Sequence, residues 1–333
     1  MLKILSIVVF QISLFVFLNF ISKKLNLLDF PNERKIHLKP TSYLGGLNIL
    51  ITLIFSMYFL ELSDHFISKI LIYGSLIALI GLLDDIRPIK PIIKLILQLF
   101  TIVYFINTYS FYLNDLGTYE FIGKIYLGNF GLIFTVLCCL LLINAVNYID
   151  GIDLITSLNF IFIVTIYIFL AHLNNITELR NILIVIIIPL IIFLFFNNGI
   201  LDMKFFLGDS GSNYIGFIIS FISIGMYTIY DFHPVLIIWP LSFLVYEFLS
   251  TNILRLLKKK YITEPGLDHI HFEIKNKFSL GLYETNVVIL LLNMFLTIFG
   301  LILFYKANSL ISFILFIIIF LFYFALRFRL SKY

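Results

Sequence analysis

The sequence predicts an all-α, polytopic membrane protein: a helix bundle of about eleven transmembrane segments, N-terminus outside and C-terminus cytoplasmic. Three observations predict it. Hydrophobic residues make up 61% of the chain and charged residues 13%, against about 25% charged in a soluble domain. The apolar residues fall into stretches of about 20, the length that spans hydrocarbon as a helix. Lys and Arg gather in alternate connections, as they do on the cytoplasmic side of a membrane.

The segments follow from where charge, Pro, Gly or Asn interrupts the apolar runs. The first, 3–22, stops at Lys23-Lys24; with one Lys and no small-residue cleavage site, it reads as a retained helix rather than a signal peptide. The second, 44–62, opens on Gly45-Gly46, and the third, 66–83, stops at Asp84-Asp85. The fourth, 91–107, begins at Pro91 beyond Pro88; the fifth, 130–148, follows Gly128 and ends in NAVNYIDGID at 144–153. The sixth and seventh, 154–173 and 181–197, end on Asn174 and Asn198. The eighth, 211–230, opens after FFLGDSGS at 205–212, and the ninth, 233–256, closes on Lys258-Lys259-Lys260. The last two, 286–305 and 309–326, end at Lys306 and Arg327. The whole chain, 1–333, reads as one membrane-embedded domain with cytoplasmic active-site loops at about 23–43, 84–94, 147–153, 198–212 and 257–285.

Topology follows from the basic residues. With the N-terminus outside, only Lys3, Lys69, Lys124, Arg180 and Lys306 of the 23 Lys and Arg lie outside; the others, including Lys23, Arg34, Arg87, Lys204, Arg255, Arg327 and Lys332, lie inside. Dispersed in this way, the net charge of +4 is a topology signal and not a nucleic-acid patch. Cys138 and Cys139 are adjacent and apolar in context, hence packing residues. No internal repeat or paired broken helices support a transporter.

Four polar islands then end or begin apolar segments on one side: 83–86, 144–153, 205–212 and 268–274. Carboxylates beside lipid need a partner or water, so their convergence on one face implies a site for a metal and an anionic substrate. Asp84 and Asp85 are neighbours, about 100° apart on a helix. One is expected to meet substrate and accept a proton while Arg or Lys holds the other. Lys94 and Gln98, four apart, share a face on which the lysine can either snorkel or hold phosphate. Asn144, Asn147, Asp150 and Asp153 recur every third residue as one stripe, and Gly151 lets the chain leave helix geometry beside a ligand. Gly208-Asp209-Ser210-Gly211-Ser212 precedes a helix and reads as an anion cradle. There Asp209 requires a cation, naturally Mg²⁺ with Mn²⁺ as a substitute. His269 and His271 share a side if the chain is extended and diverge on a helix. His65, His172 and His233 fall outside, and His37 lies in the first basic loop.

With these motifs in order, the chain resembles the polyprenyl-phosphate N-acetylhexosamine-1-phosphate transferases, the WecA/MraY-type glycosyltransferase family 4. The resemblance runs from Asp29 to about Glu273. Asp29-Phe30-Pro31, Arg34-Lys35-Ile36-His37, Pro40 and Gly45-Gly46 resemble the first signature; Gly81 to Asp85 with Lys94 and Gln98 resemble the second. NAVNYIDGID, FFLGDSGS and HIH resemble the rest. Three departures stand out: Leu154 where the family usually has Gly; Gly266, Leu267 and Phe272 around the histidines; and Glu247 at an aspartate-type position.

The resemblance implies transfer of a sugar 1-phosphate from a UDP-N-acetylhexosamine such as UDP-N-acetylglucosamine to undecaprenyl phosphate, releasing UMP and starting a cell-envelope glycan. It implies Asp209 and Asn147 on Mg²⁺, and Asp84 or Asp85 at the lipid phosphate. Asp150, Gly151 and Asp153 would shape the nucleotide pocket; Lys94, Gly208, His269 and His271 would bind phosphate. The expected setting is the bacterial inner membrane, with UDP-sugar, undecaprenyl phosphate and the bilayer as partners, no nucleic acid, and a homodimer as an assembly to test. The alternatives are a phospho-MurNAc-pentapeptide transferase, which His271-Phe272-Glu273 resembles, and a cation-coupled transporter, which would hold its acids near mid-bilayer.

Overall fold

The computed structural model describes residues 2–31, 39–261, 266 and 268–331. Arg34-Lys35-Ile36-His37 of the first signature, with Pro265, Leu267 and Lys332, lie outside the described residues. In chain order the elements are α1 (Leu2–Lys24), β1 (Leu28–Asp29), β2 (Thr41–Ser42), α2 (Gly45–Phe59), α3 (Phe66–Ile86), α4 (Pro91–Tyr109), β3 (Asp115–Tyr119) and β4 (Gly123–Tyr126). There follow α5 (Gly131–Ile149), α6 (Ile155–Leu173), α7 (Thr177–Asn197), α8 (Gly208–Thr228), α9 (Pro234–Ile238), α10 (Ser242–Leu257), α11 (Ile270–Lys277), α12 (Leu282–Lys306) and α13 (Ser309–Leu330).

Among the described residues, eight helices (α1, α3 to α7, α12 and α13) are long and apolar enough to cross a membrane. The protein is a helical, multi-pass membrane protein. Every apolar segment expected from sequence coincides with helix, but 233–256 is two helices. Pro240 lies between them, where it cannot donate a helical hydrogen bond. Two features are additions: the antiparallel ribbons β1–β2 and β3–β4, and α11 after the second histidine loop.

Chain contacts divide the protein into two compact units, Met1–Thr101 with Thr156–Ile218, and Ile102–Ile155 with Ile219–Tyr333. In the first unit α1, α2 and α7 pack together around Phe15, whose ring stacks on Phe196 at 4.0 Å and meets Phe205 edge-on at 5.0 Å. Inside this packing Gln11 Nε2 donates to Asn48 Oδ1 at 3.0 Å and to the Pro189 carbonyl at 2.9 Å. Such bonds join helices where burial from water supplies no drive. On α3, Gly81 lies directly against the start of α8: a Cβ there would overlap the Asp209 carbonyl. That close approach sets the end of α3 beside Asp209.

In the second unit Trp239, fully buried, fills a notch at Gly300 of α12 and donates its indole N–H to Ser312 of α13 at 2.9 Å. Phe299, Phe313 and Phe316 pack around it. α10 packs on α5, α12 and α13, and α11 on α12.

The Gly81 contact yields a signed prediction. In an ordinary helix interior Gly→Ala gains about 1 kcal/mol, but overpacking costs about 1–3 kcal/mol. Gly81→Ala should therefore lower the thermal midpoint of the purified protein; a raised midpoint would mean that α3 and α8 have room to separate.

Candidate active site

In the first unit the third, fourth and eighth helices bring Asp84, Asp85, Lys94, Gly208 and Asp209 together. α3 runs on through both aspartates, so the neighbours keep their helical divergence and do different work. Asp84 accepts the Ile89 N–H at 2.7 Å and the Lys94 ammonium at 2.9 Å. Lys94 also donates to Asp209, so one ammonium bridges two carboxylates from different helices. With its side chain only 13% exposed, this lysine is held in the cluster and does not snorkel.

Asp85 instead accepts the backbone N–H groups of Asp209 and Ser210, at 2.9 and 3.1 Å. It thereby caps α8 from another helix, where orphan donors and the positive dipole end favour a carboxylate. The cradle expected at 208–212 thus receives the protein's own anion on these two donors. Gly208 begins α8 with φ +71° and lies against Asp85 and the Tyr43 carbonyl. One turn further along α4, buried Gln98 donates to Asn213 of α8 at 3.3 Å.

The donor set suits a hard divalent cation. Asp84 and Asp209 already converge on one positive group, and carboxylate oxygens are what Mg²⁺ takes. The buried Ser210 hydroxyl next to Asp209 has no hydrogen-bond partner among the described residues, leaving polar capacity at this spot. No group of three or more His, Cys, Asp or Glu among the described residues is arranged around a metal position, so water or substrate oxygens would have to complete the shell.

In the second unit α5 ends at Ile149, and Asp150 leaves the helix at φ −75°, ψ 47°. The stripe expected at 144, 147, 150 and 153 is therefore helical only through Asn147. Asn144 is turned back onto the Leu140 carbonyl at 2.7 Å. Asp153 is anchored through its carbonyl, which accepts from Asn286 of α12 at 2.9 Å. Leu154 has φ +73°. The position where the family usually carries Gly keeps a left-handed backbone, at about 1–2 kcal/mol for a side chain with Cβ.

Gly151 is required for a different reason: a Cβ there would overlap Nε2 of His271. His269 is extended at the N-cap of α11 and His271 follows in its first turn, so the segment is half extended and half helical. Their rings nevertheless stack, 5.8 Å apart and 11° from parallel. Both nitrogens of His271 and Nδ1 of His269 are buried without hydrogen-bond partners among the described residues. Burial lowers both histidine pKa values, His271 well below the ordinary 6.5. At neutral pH they are uncharged, so they offer hydrogen bonds to a phosphate before they offer charge.

Sequence reasoning named Glu247, Arg255 and Arg327 but gave them no part in holding this segment. Buried Glu247 of α10 pairs with fully buried Arg327 of α13, Nε to Oε2 at 3.0 Å, and Arg327 also bonds Glu273. Arg255 grips Asp268 with two bonds of 2.9 and 2.7 Å. Burial resists ionisation of Asp268, but that fork outweighs it and holds the pKa down to about 2. The available signal was Arg327 itself: the last helix continues to Leu330 and encloses it, and a charge inside a membrane helix points to function.

The histidine shifts fix a pH dependence. Unfolded histidines bind protons below about 6.5, while His269 and His271 resist protonation in the fold, so stability is full above 6.5 and declines as pH falls towards their lowered values. Thermal midpoints measured from pH 7.5 to 5.5 should drop, and His271→Gln should flatten the drop. An equal slope in that variant would remove His271 as the cause.

Comparison with known proteins agrees with the motifs. The model for Glycosyl transferase family 4 matches residues 67–227. The "Probable undecaprenyl-phosphate N-acetylglucosaminyl 1-phosphate transferase" of Bacillus subtilis (strain 168) is 28% identical over 303 residues, covering 90% of this chain and 83% of the relative. The "Undecaprenyl-phosphate alpha-N-acetylglucosaminyl 1-phosphate transferase" of Escherichia coli (strain K12) is 27% identical, covering 80% and 74%. The protein of the same name from Yersinia pestis is 26% identical, covering 74% and 69%. With the signature residues in family order and an acidic cluster built from two of them, the chain is similar to glycosyl transferase family 4, of the WecA/MraY type, and its relatives mark it as a phosphoglycosyltransferase.

Proposed function

We propose that the protein transfers N-acetylhexosamine 1-phosphate, N-acetylglucosamine 1-phosphate first among the candidates, from its UDP-sugar to undecaprenyl phosphate and releases UMP. The observation that carries this reading is Lys94 bridging Asp84 and Asp209 while Asp85 caps α8. The names of the relatives support the acceptor and the sugar.

In the reaction a lipid-phosphate oxygen forms a bond to the phosphorus carried by the sugar. The bond from that phosphorus to the bridging oxygen breaks, and the oxygen leaves on UMP. Both reactants are anions, so cationic groups must offset their repulsion before in-line attack. Asp209, with Asp84 beside it, would hold Mg²⁺, which supplies positive charge to the diphosphate when bound. Lys94 orients both carboxylates and is placed to bind phosphate in their stead. Because Asp85 is committed to the backbone of α8, Asp84 is assigned the lipid-phosphate role and accepts its proton at the carboxylate. Asn147, Asp150, Gly151 and Asp153 keep the metal and nucleotide roles that the resemblance implies. The two histidines are assigned to phosphate as neutral hydrogen-bonding groups.

The same reading takes eleven crossings, with α9 and α10 sharing one, the N-terminus outside, and the reaction on the cytoplasmic side of the bacterial inner membrane. A single membrane-embedded domain would serve it, and the glycan begun would be an O-antigen, capsule or teichoic-acid-like polymer. The pentapeptide-accepting alternative is less favoured, since the relatives compared are named for N-acetylglucosaminyl transfer.

The test is to give the purified protein undecaprenyl phosphate, Mg²⁺ and a panel of UDP-sugars, and to identify the lipid product. Asp209→Asn should insert and fold yet lose UMP release by about 10²–10³-fold. Parental turnover in that variant would remove Asp209 from the metal role, and a product from UDP-MurNAc-pentapeptide alone would replace the substrate assigned here.

A further inference from the structure

We infer that Arg327, on the last helix, is a positioning residue for the His269–His271 segment, acting through Glu247 and Glu273. The guanidinium spends its donors on four groups: Glu247, Glu273, the Asp268 carbonyl and the Thr251 hydroxyl. Nε and Nη2 bind the two oxygens of Glu247 at 3.0 and 3.2 Å, Nη1 binds Glu273, and Nη2 also donates to the Asp268 carbonyl at 2.8 Å. Glu247 in turn accepts the Ile270 N–H at 2.8 Å, the Thr251 hydroxyl at 2.9 Å and the Tyr323 hydroxyl at 2.8 Å. The backbone on both sides of His269 is therefore tied to one buried ion pair, and Glu273 ties α11 two residues beyond His271.

This arrangement is costly as mere stabilisation. A buried ion pair contributes little over well-packed apolar side chains, because desolvating both charges offsets their attraction. A planar fork, however, fixes direction as well as charge, which lysine or an apolar residue cannot reproduce. What it directs is a pair of stacked rings with three buried nitrogens that lack partners among the described residues, a feature that calls for a ligand. Tyr148 lies 4.7 Å from the His269 ring, with Arg255 over its own face at 5.5 Å. The rings thus meet Tyr148 and Gly151, while the backbone that carries them is tied to the Arg327 pair.

The inference rests on the phosphate role proposed for the two histidines, but its test has a readout that does not need turnover. Arg327→Lys keeps the charge and loses the fork; Glu273→Gln loosens only the more exposed end of the network. In the purified full chain, diethyl pyrocarbonate should modify His269 and His271 slowly, and markedly faster in both variants, with peptide mapping to assign the sites. KM for the UDP-sugar should rise about tenfold, as when groups supporting a ligand-binding residue are changed, with kcat changed less. A Glu273→Gln protein that keeps the parental histidine reactivity and KM overturns the assignment, whether or not Arg327→Lys folds. Loss of the folded state in both variants also overturns it, since the network would then serve stability alone. Should the parent release no UMP from any UDP-sugar, the proposed function fails while the modification rates still report on positioning.

Discussion

One ammonium group between two carboxylates is the constraint from which the first unit can be understood. Lys94 sits in an apolar helix where its charge needs partners, and Asp84 and Asp209 supply them from α3 and α8. For that to occur the two helices must approach closely, which Gly81 permits, and the start of α8 must be fixed, which Asp85 does through two backbone N–H groups. The adjacent aspartates are thus not a redundant pair. One sets the position of a helix and the other faces the cation.

The second unit solves a different problem, holding a polar loop still beside an apolar bundle. Its answer is a buried ion pair reaching from the last helix to the backbone around His269, with a second fork from Arg255 to Asp268. The histidines themselves remain neutral and partly unsatisfied, held down in pKa by burial. A neutral imidazole can meet an arriving phosphate and take up charge only as the anion approaches. Such a site avoids storing positive charge in a dry environment.

The apolar segments were legible in sequence because length and composition alone decide which helices can cross a bilayer. The break at Pro240, the two ribbons and α11 were not, since short elements depend on contacts that periodicity does not record. The cluster at 84, 94 and 209 was legible as chemistry through its residue types, but the division of labour between Asp84 and Asp85 needed the helix to be seen continuing past both. Arg327 was misread as a topology charge beyond the last segment because four further residues of α13 were not counted. Leu154 shows the converse: the residue departs from the family, yet its own backbone is left-handed, the conformation glycine would favour.

The central claim is that Lys94 and Asp209 form a coupled pair. It is most directly tested by a double-mutant cycle of Lys94→Met, Asp209→Asn and both together, read as unfolding free energy in mixed micelles. The account predicts a coupling of about 1.5–3 kcal/mol, the range for a charge-assisted hydrogen bond. Additivity within about 0.5 kcal/mol would contradict it.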